Sequence, residues 1–381
     1  RLIERPTLYA LARSAAERQG RVFRCAKLFW WFNQGAPVDW SVTPKPHYGA
    51  DGSKVFAIHG SPPELPAWLE SELGPFPFAA FWGPLSGIAS SLWIARATAL
   101  VLRRYRPTLT LAYLPHLDYD LQRYGPHGAA AERAAAEVDR CVAIVLEECR
   151  RQGIELVVVS EYGIVPVRRP VYVNRELRRR GWLVVRDGPF GERLETFQSR
   201  AFAVVDHQVA HVYVAQASDR GAVADALGAL EGVAEVAATA EAKRALGLAH
   251  PRAGDIVLLA EPDAWFAYPY WLDERRAPDF ARTVDIHRKP GYDPCELFFD
   301  PRLRFPRLRV AWRLLQRRLG GRALVDVVPV DAHLVCGSHG VRVADAAHRP
   351  IYIGPADSDI QAPRTLTDLC RTILRLLGLE P

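Results

Sequence analysis

The sequence predicts an α/β protein with a central, mostly parallel sheet flanked by helices and a small α/β subdomain inserted over residues 167–250. Three observations carry that expectation. Between residues 108 and 159 a period-2 apolar run, a long amphipathic stretch and a β-branched apolar run follow one another, the pattern of a strand–helix–strand unit. Residues 167–250 then change to short strands and short helices. At 381 residues, the chain can bury a large core as one domain over 1–381 around such an insertion.

Taken in order, residues 108–114 alternate and then turn apolar, and read as a strand ending at Pro115. A loop follows. A helix is expected over 129–152, with Ala, Leu, Val and Ile on one stripe and Glu and Arg elsewhere. Residues 154–159 are nearly all apolar and read as a fully buried parallel strand. Within the insertion, 182–185, 201–205 and 212–214 are expected strands, and 222–230 and 240–246 expected helices. Residues 255–260 read as a buried strand returning the chain from the insertion. The stretch 262–307 is rich in Pro, Trp, Tyr, Asp and Arg. Its seven aromatics between Trp265 and Tyr292 argue for an ordered, irregular segment. Helices over 307–319 and 366–377 close the chain. No apolar run approaches the roughly 18 residues of a membrane span.

A net charge of +6, from 49 Lys and Arg against 43 Asp and Glu, is too mild on this length to imply a nucleic-acid partner. The basic run 175–180 sits at a predicted helix end and reads as a solvated face, with a basic pocket for a phosphate ester as the alternative. Six cysteines without CxxC spacing indicate neither a disulfide framework nor a zinc knuckle. A reducing, cytoplasmic address is expected from them. Cys141 and Cys149 fall in the amphipathic helix and read as small core residues. The chain has no Met and begins at Arg1, so a fragment is expected whose leader or anchor would lie outside it.

Four polar blocks stand apart from this framework: Leu117-Asp118 to Gly125-Pro126, Ser160-Glu161-Tyr162-Gly163, Gly337-Ser338-His339-Gly340, and Pro350 to Pro355. The first two follow predicted strands, and open α/β sheets bind ligands beyond the carboxyl ends of their strands. In order and setting the blocks resemble the metal-binding skeleton of the type I phosphodiesterase/nucleotide pyrophosphatase family, within the alkaline phosphatase superfamily. The resemblance covers most of the chain and implies an alkaline-phosphatase-like fold.

The resemblance also implies roles. Asp118 takes the position of a metal-binding Asp, and Gln122 stands where a His four residues on would complete the pair. An amide oxygen binds hard cations but is a poor zinc ligand. On residue type alone, Asp118 is a cap or turn former. Glu161 keeps a carboxylate of the family's Ser-Asp-His-Gly on a longer arm, while Tyr162 puts a neutral phenol in place of the imidazole. The alternative is that both are ordinary strand-end groups. His339 takes the position of a late His that completes the first metal site. The nucleophile, a Thr or Ser, and the first metal-binding Asp are expected before Arg1.

Two further clusters matter. His207 and His211 share a face in either a helix or a strand, and could add imidazoles to a metal site; the alternative is polar residues ending a strand. In 279–293, Arg282, His287, Arg288 and Lys289 are candidates to contact a phosphate, or else form a salt-bridged loop. The triplet Gly291-Tyr292-Asp293 is set aside as a His-Gly-Tyr-Asp motif because Pro290 fills the His position. No phosphate-cradling glycine loop or nucleophile elbow is present. The implied activity is hydrolysis of small-molecule phosphate esters with a divalent metal, zinc by family. The alternative is a non-catalytic relative that binds a phosphorylated or anionic metabolite. Oligomeric state is left open.

Overall fold

The computed structural model describes residues 3–50, 54–321, 323–343, 345–356 and 360–379, so the two ends of the expected 1–381 domain fall outside it. Its first sheet has the order β3-β2-β1-β4, formed by β1 (Cys25–Leu28), β2 (Trp40–Pro44), β3 (Ile58–Ser61) and β4 (Leu109–Ala112). β2 and β4 both run parallel to β1, which sets Leu28 opposite Val42 and Ala112; β3 runs antiparallel at the edge. β1 is buried throughout, and its side chains alternate between two cores. Cys25 joins Tyr9, Ala12 and Ala15 of α1 (Leu8–Arg18). Ala26 and Leu28 face Leu65 and Leu69 of α2 (Glu64–Leu73) and Trp93, Ile94 and Ala97 of α3 (Ile88–Tyr105). Helices on both faces of a mostly parallel sheet are the architecture that the strand–helix–strand pattern predicts.

Beyond β4 the chain departs from the expected loop and forms α4 (His116–Tyr124). His116, Tyr119 and Gln122, three residues apart, are its buried positions, and Gly125 at φ 83° ends it. α5 (Ala129–Gln152) occupies the predicted span and stops at Gly153, whose left-handed φ of 66° suits a helix C-terminus. Cys141, Val145 and Cys149 of α5 pack against Ala95 and Leu102 of α3. All six cysteines are unpaired. The run 154–159 is not the buried parallel strand expected from its composition. Only Val158–Val159 enter a ladder, antiparallel to Tyr352–Ile353, and both are half-buried. Ile154 and Leu156 reach the α3–α5 core instead, so helices rather than flanking strands cover the apolar run.

The second sheet is antiparallel throughout. β5 (Ala201–Asp206), β6 (Val209–Val214), β7 (Val233–Ala237) and β8 (Ile256–Ala260) take the order β5-β6-β8-β7. β8 is the run read as the return strand; it is buried because it lies between β6 and β7. The expected strand at 182–185 is displaced to Val185–Arg186, paired with Arg193–Leu194. α6 (Val173–Arg179) and α7 (Arg220–Gly228) contribute Val173, Leu177, Val223 and Leu227 to the core of this sheet. Phe266, Tyr268, Tyr270, Trp271 and Phe280 join the same core, which is what orders the irregular 262–307 segment. α8 (Ala240–Ala245) follows β7, and α9 (Pro306–Arg318) and α10 (Leu366–Leu376) come last, with Leu374 in the core that holds α1. Among the described residues no helix is long and apolar enough to cross a membrane.

Candidate functional site

Asp118 and Gln122 lie one turn apart on α4, so their side chains share a face. The Gln122 amide donates to Asp118 Oδ2 at 2.7 Å. Tyr162, in the loop after Val158–Val159, donates its hydroxyl to Asp118 Oδ1 at 3.1 Å. Tyr292 donates to Gln122 Oε1 at 3.3 Å. Both carboxylate oxygens are thus taken by neutral donors. The rings complete the arrangement. Tyr162 stacks on His339 with centroids 3.6 Å apart and 10° between planes. His339 lies 3.8 Å from His207, and His207 lies 4.3 Å from Tyr292. The six side chains form a closed ring: Asp118, Tyr162, His339, His207, Tyr292, Gln122.

Backbone contacts hold this ring from both sheets. His207 and Gln208 are the two turn residues of the β5–β6 hairpin, and His207 takes a positive φ of 54°. His207 Nδ1 shares a hydrogen bond with Ser338 Oγ at 3.0 Å, and Gln208 N donates to the His339 carbonyl at 2.9 Å. Tyr292 N donates to Val205 O at 2.9 Å, which docks the 282–297 segment on the hairpin. On the other side, Cys336 N donates to Gln122 O at 2.9 Å. A Cβ on Gly337 would lie 2.0 Å from Leu121 O, so only glycine lets this strand approach α4 so closely.

Burial pushes the Asp118 carboxyl up to about 6, against the lowering pull of its bonds to Gln122 and Tyr162. Burial depresses His339 to about 4, and holds His207 well below the ordinary imidazole value, with His339 adding to the effect. Burial raises Tyr162 and Tyr292, Asp118 adding to both. At neutral pH the ring therefore holds neutral phenols and neutral imidazoles around one carboxylate. Glu161 and Asp206 are exposed nearby. Although each residue is exposed as a whole, partial loss of hydration at its carboxyl group raises both, and the Asp206 charge raises Glu161 further.

The metal ions implied by the resemblance would need Asp118, Gln122, Glu161, Tyr162 and His339 as ligands. The donor chemistry does not suit zinc. Two of the five are a neutral amide and a neutral phenol, and these two already occupy the oxygens of Asp118. His339 is sandwiched between two rings. Among the described residues no three His, Cys, Asp or Glu side chains are grouped to hold a metal ion. His211 does not join His207. The hairpin turn at His207 breaks the spacing rule, and His211 Nδ1 accepts from Gly254 N at 3.2 Å on β6.

The basic candidates are likewise placed elsewhere. Arg282 pairs with Asp300 at 3.6 Å, Arg288 pairs with Asp285 at 3.1 Å, and His287 is exposed. Lys289 is fully buried between Asp293 at 2.6 Å and Glu296 at 2.7 Å. The segment is built as a salt-bridged loop. Sequence reasoning missed Tyr292, Ser338 and Trp82. Tyr292 had a signal, since it is the centre of the displaced Gly-Tyr-Asp triplet. Trp82 lies 5.4 Å from Tyr292 and donates to Glu296 Oε2 at 2.6 Å; its one local signal, a weak one, is the Gly83-Pro84 loop that follows it.

The model of one protein family, type I phosphodiesterase / nucleotide pyrophosphatase, matches residues 6–293, a range that holds every residue of the ring except His339. No curated protein matches the chain. Among solved structures, phosphonoacetate hydrolase from Sinorhizobium meliloti 1021 in complex with phosphonoformate is 23% identical over 56% of this chain and 48% of its own, with a TM-score of 0.39. The same enzyme with phosphonoacetate is 19% identical over 69% of this chain and 61% of its own, with a TM-score of 0.43. Murine ectonucleotide pyrophosphatase / phosphodiesterase 5 is 15% identical over 96% of this chain and 70% of its own, with a TM-score of 0.49. The chain thus spans about half to three fifths of the length of the phosphonoacetate hydrolase it matches.

Proposed function

The chain belongs to the type I phosphodiesterase/nucleotide pyrophosphatase family, and from that premise we propose that it is a binding relative, whose pocket takes a phosphate ester without hydrolysing it. One observation carries the reading: the positions expected to hold metal are bonded to each other. Asp118 accepts from Gln122 and Tyr162, and Tyr162 stacks on His339. Two-metal hydrolysis needs ligands that converge on cations, which in turn polarise the phosphoryl oxygens. Here the same positions converge on a carboxylate.

The electrostatics define when an ester binds. Ionised, Asp118 is acceptor-only and repels a phosphate; protonated, it has a proton to donate to a phosphoryl oxygen. Its carboxyl titrates at about 6, so binding strengthens as the pH falls through that value. The rings of Trp82 and Tyr292, 5.4 Å apart beside Gln122, favour an ester that carries a flat ring.

Bis(p-nitrophenyl) phosphate is the suitable probe, since a diester lacks the phosphate ionisation near pH 6 that would confuse the profile. The expected outcome in calorimetry is saturable binding that is tighter at pH 5.5 than at pH 8, by roughly tenfold to a hundredfold. Asp118→Asn should flatten the profile. No p-nitrophenolate should appear, with or without added zinc. Zinc-dependent release that Asp118→Ala and His339→Ala abolish would overturn the reading in favour of hydrolysis.

A further inference from the structure

α9 presents its polar side to the protein and its apolar side to solvent. Pro306, Arg309, Val310, Arg313 and Gln316 are its half-buried positions, and no residue of the helix is fully buried. Arg313 holds Asp326 through Nε at 2.9 Å, and Arg309 holds the same carboxylate through Nε at 3.1 Å. The opposite face is apolar. Phe305 at 59%, Leu308 at 67%, Trp312 at 57%, Leu315 at 46% and Leu319 at 77% exposure recur every three or four residues, and so form one stripe. A surface helix of a folded domain ordinarily buries such a stripe.

The charge around the stripe is one-sided. Between Pro301 and Gly321 there are seven arginines and no Asp or Glu, so the face suits an anionic partner. Arg302 is paired with Asp300, Arg309 and Arg313 with Asp326, and Arg317 donates to Ala323 O. Arg304, Arg307 and Arg318 have no acidic partner among the described residues, and the helical period sets Arg307 and Arg318 along one border of the stripe.

We propose that α9 docks the protein on the surface of a bilayer that contains anionic lipid. The helix lies in the plane of the interface, its apolar stripe among the acyl chains and its free arginines on the lipid phosphates. Trp312, at the middle of the stripe, suits that boundary. A second copy of this chain is the poorer occupant, because packing two such faces together would oppose two sets of arginines.

Flotation of the full chain with vesicles tests this. The chain should float with vesicles of phosphatidylcholine and phosphatidylglycerol, weakly or not at all with phosphatidylcholine alone, and less as salt is added. The variants Leu308→Ser/Leu315→Ser and, separately, Arg307→Glu/Arg318→Glu should each weaken binding roughly tenfold or more. Their circular dichroism and melting should match the parent, since these side chains are exposed. Failure of the parent to float, or equal flotation of parent and both variants, would overturn the proposal. So would a dimer in light scattering that Leu308→Ser/Leu315→Ser dissolves, without vesicle binding by the parent.

Discussion

Asp118 and His339 respond to burial with opposite signs, and that fixes how each affects stability with pH. The Asp118 carboxyl rises from its ordinary 3.8 to about 6, so folding takes up a proton there. Its contribution is fully present below about pH 3.8 and is lost as the pH rises through about 6. His339 falls from its ordinary 6.5 to about 4. Its contribution is present above about pH 6.5 and is lost as the pH falls towards 4. Across that window the two oppose each other in the parent protein. Relative to the parent, Asp118→Asn should therefore give a melting temperature that climbs more steeply with pH between 4 and 6.5, and His339→Asn one that climbs less steeply or falls. Melting curves in a pH series check both slopes; parallel shifts at every pH would refute the assignment.

The elements that carry the ring are held by close backbone approach, which side-chain patterns do not reveal. Gly337→Ala would place a methyl carbon 2.0 Å from Leu121 O, and should cost about 2 kcal/mol or more by pushing the His339 strand off α4. Gly221 in α7 has nothing within 4 Å of an added Cβ, so Gly221→Ala should stabilise by about 0.4–1 kcal/mol. Urea denaturation of the two variants separates close packing from glycine content alone. The same contrast explains which elements were legible. α5 follows from its apolar stripe and its closing Gly153, which are local. β8 has the right composition for a buried strand, but its partners are set by long-range pairing with β6 and β7. The sequence of α4 suggests a loop because Pro115 and its polar residues suit turns, while the burial of its inward face depends on the rest of the fold.

At the scale of the whole molecule, one buried ionic cluster holds the 282–297 segment together and fastens it to Trp82. Lys289 Nζ lies between Asp293 and Glu296, and Glu296 also accepts from Trp82 Nε1 at 2.6 Å and from Asp285 N at 2.8 Å. Burial alone would lower the lysine, but the two carboxylates outweigh it and hold it above its ordinary value. Lys289→Met leaves both carboxylates buried without a cation, and should cost about 3–5 kcal/mol in urea denaturation. The triple change Lys289→Met/Asp293→Asn/Glu296→Gln should recover much of the loss; no recovery would mean that packing, not charge, is what the lysine supplies. The sequence places Asp118, Glu161, Tyr162 and His339 through their blocks, yet it cannot say that their side chains bond to one another. That depends on the β5–β6 hairpin delivering His207, and on Gly291 bringing Tyr292 against Val205. The most direct test of the closed ring is the zinc content of the intact protein after equilibration with zinc and removal of excess, measured by elemental analysis. The ring predicts well under one zinc per chain, unchanged in Asp118→Ala and His339→Ala. Two zinc ions per chain, lost in both variants, would contradict it.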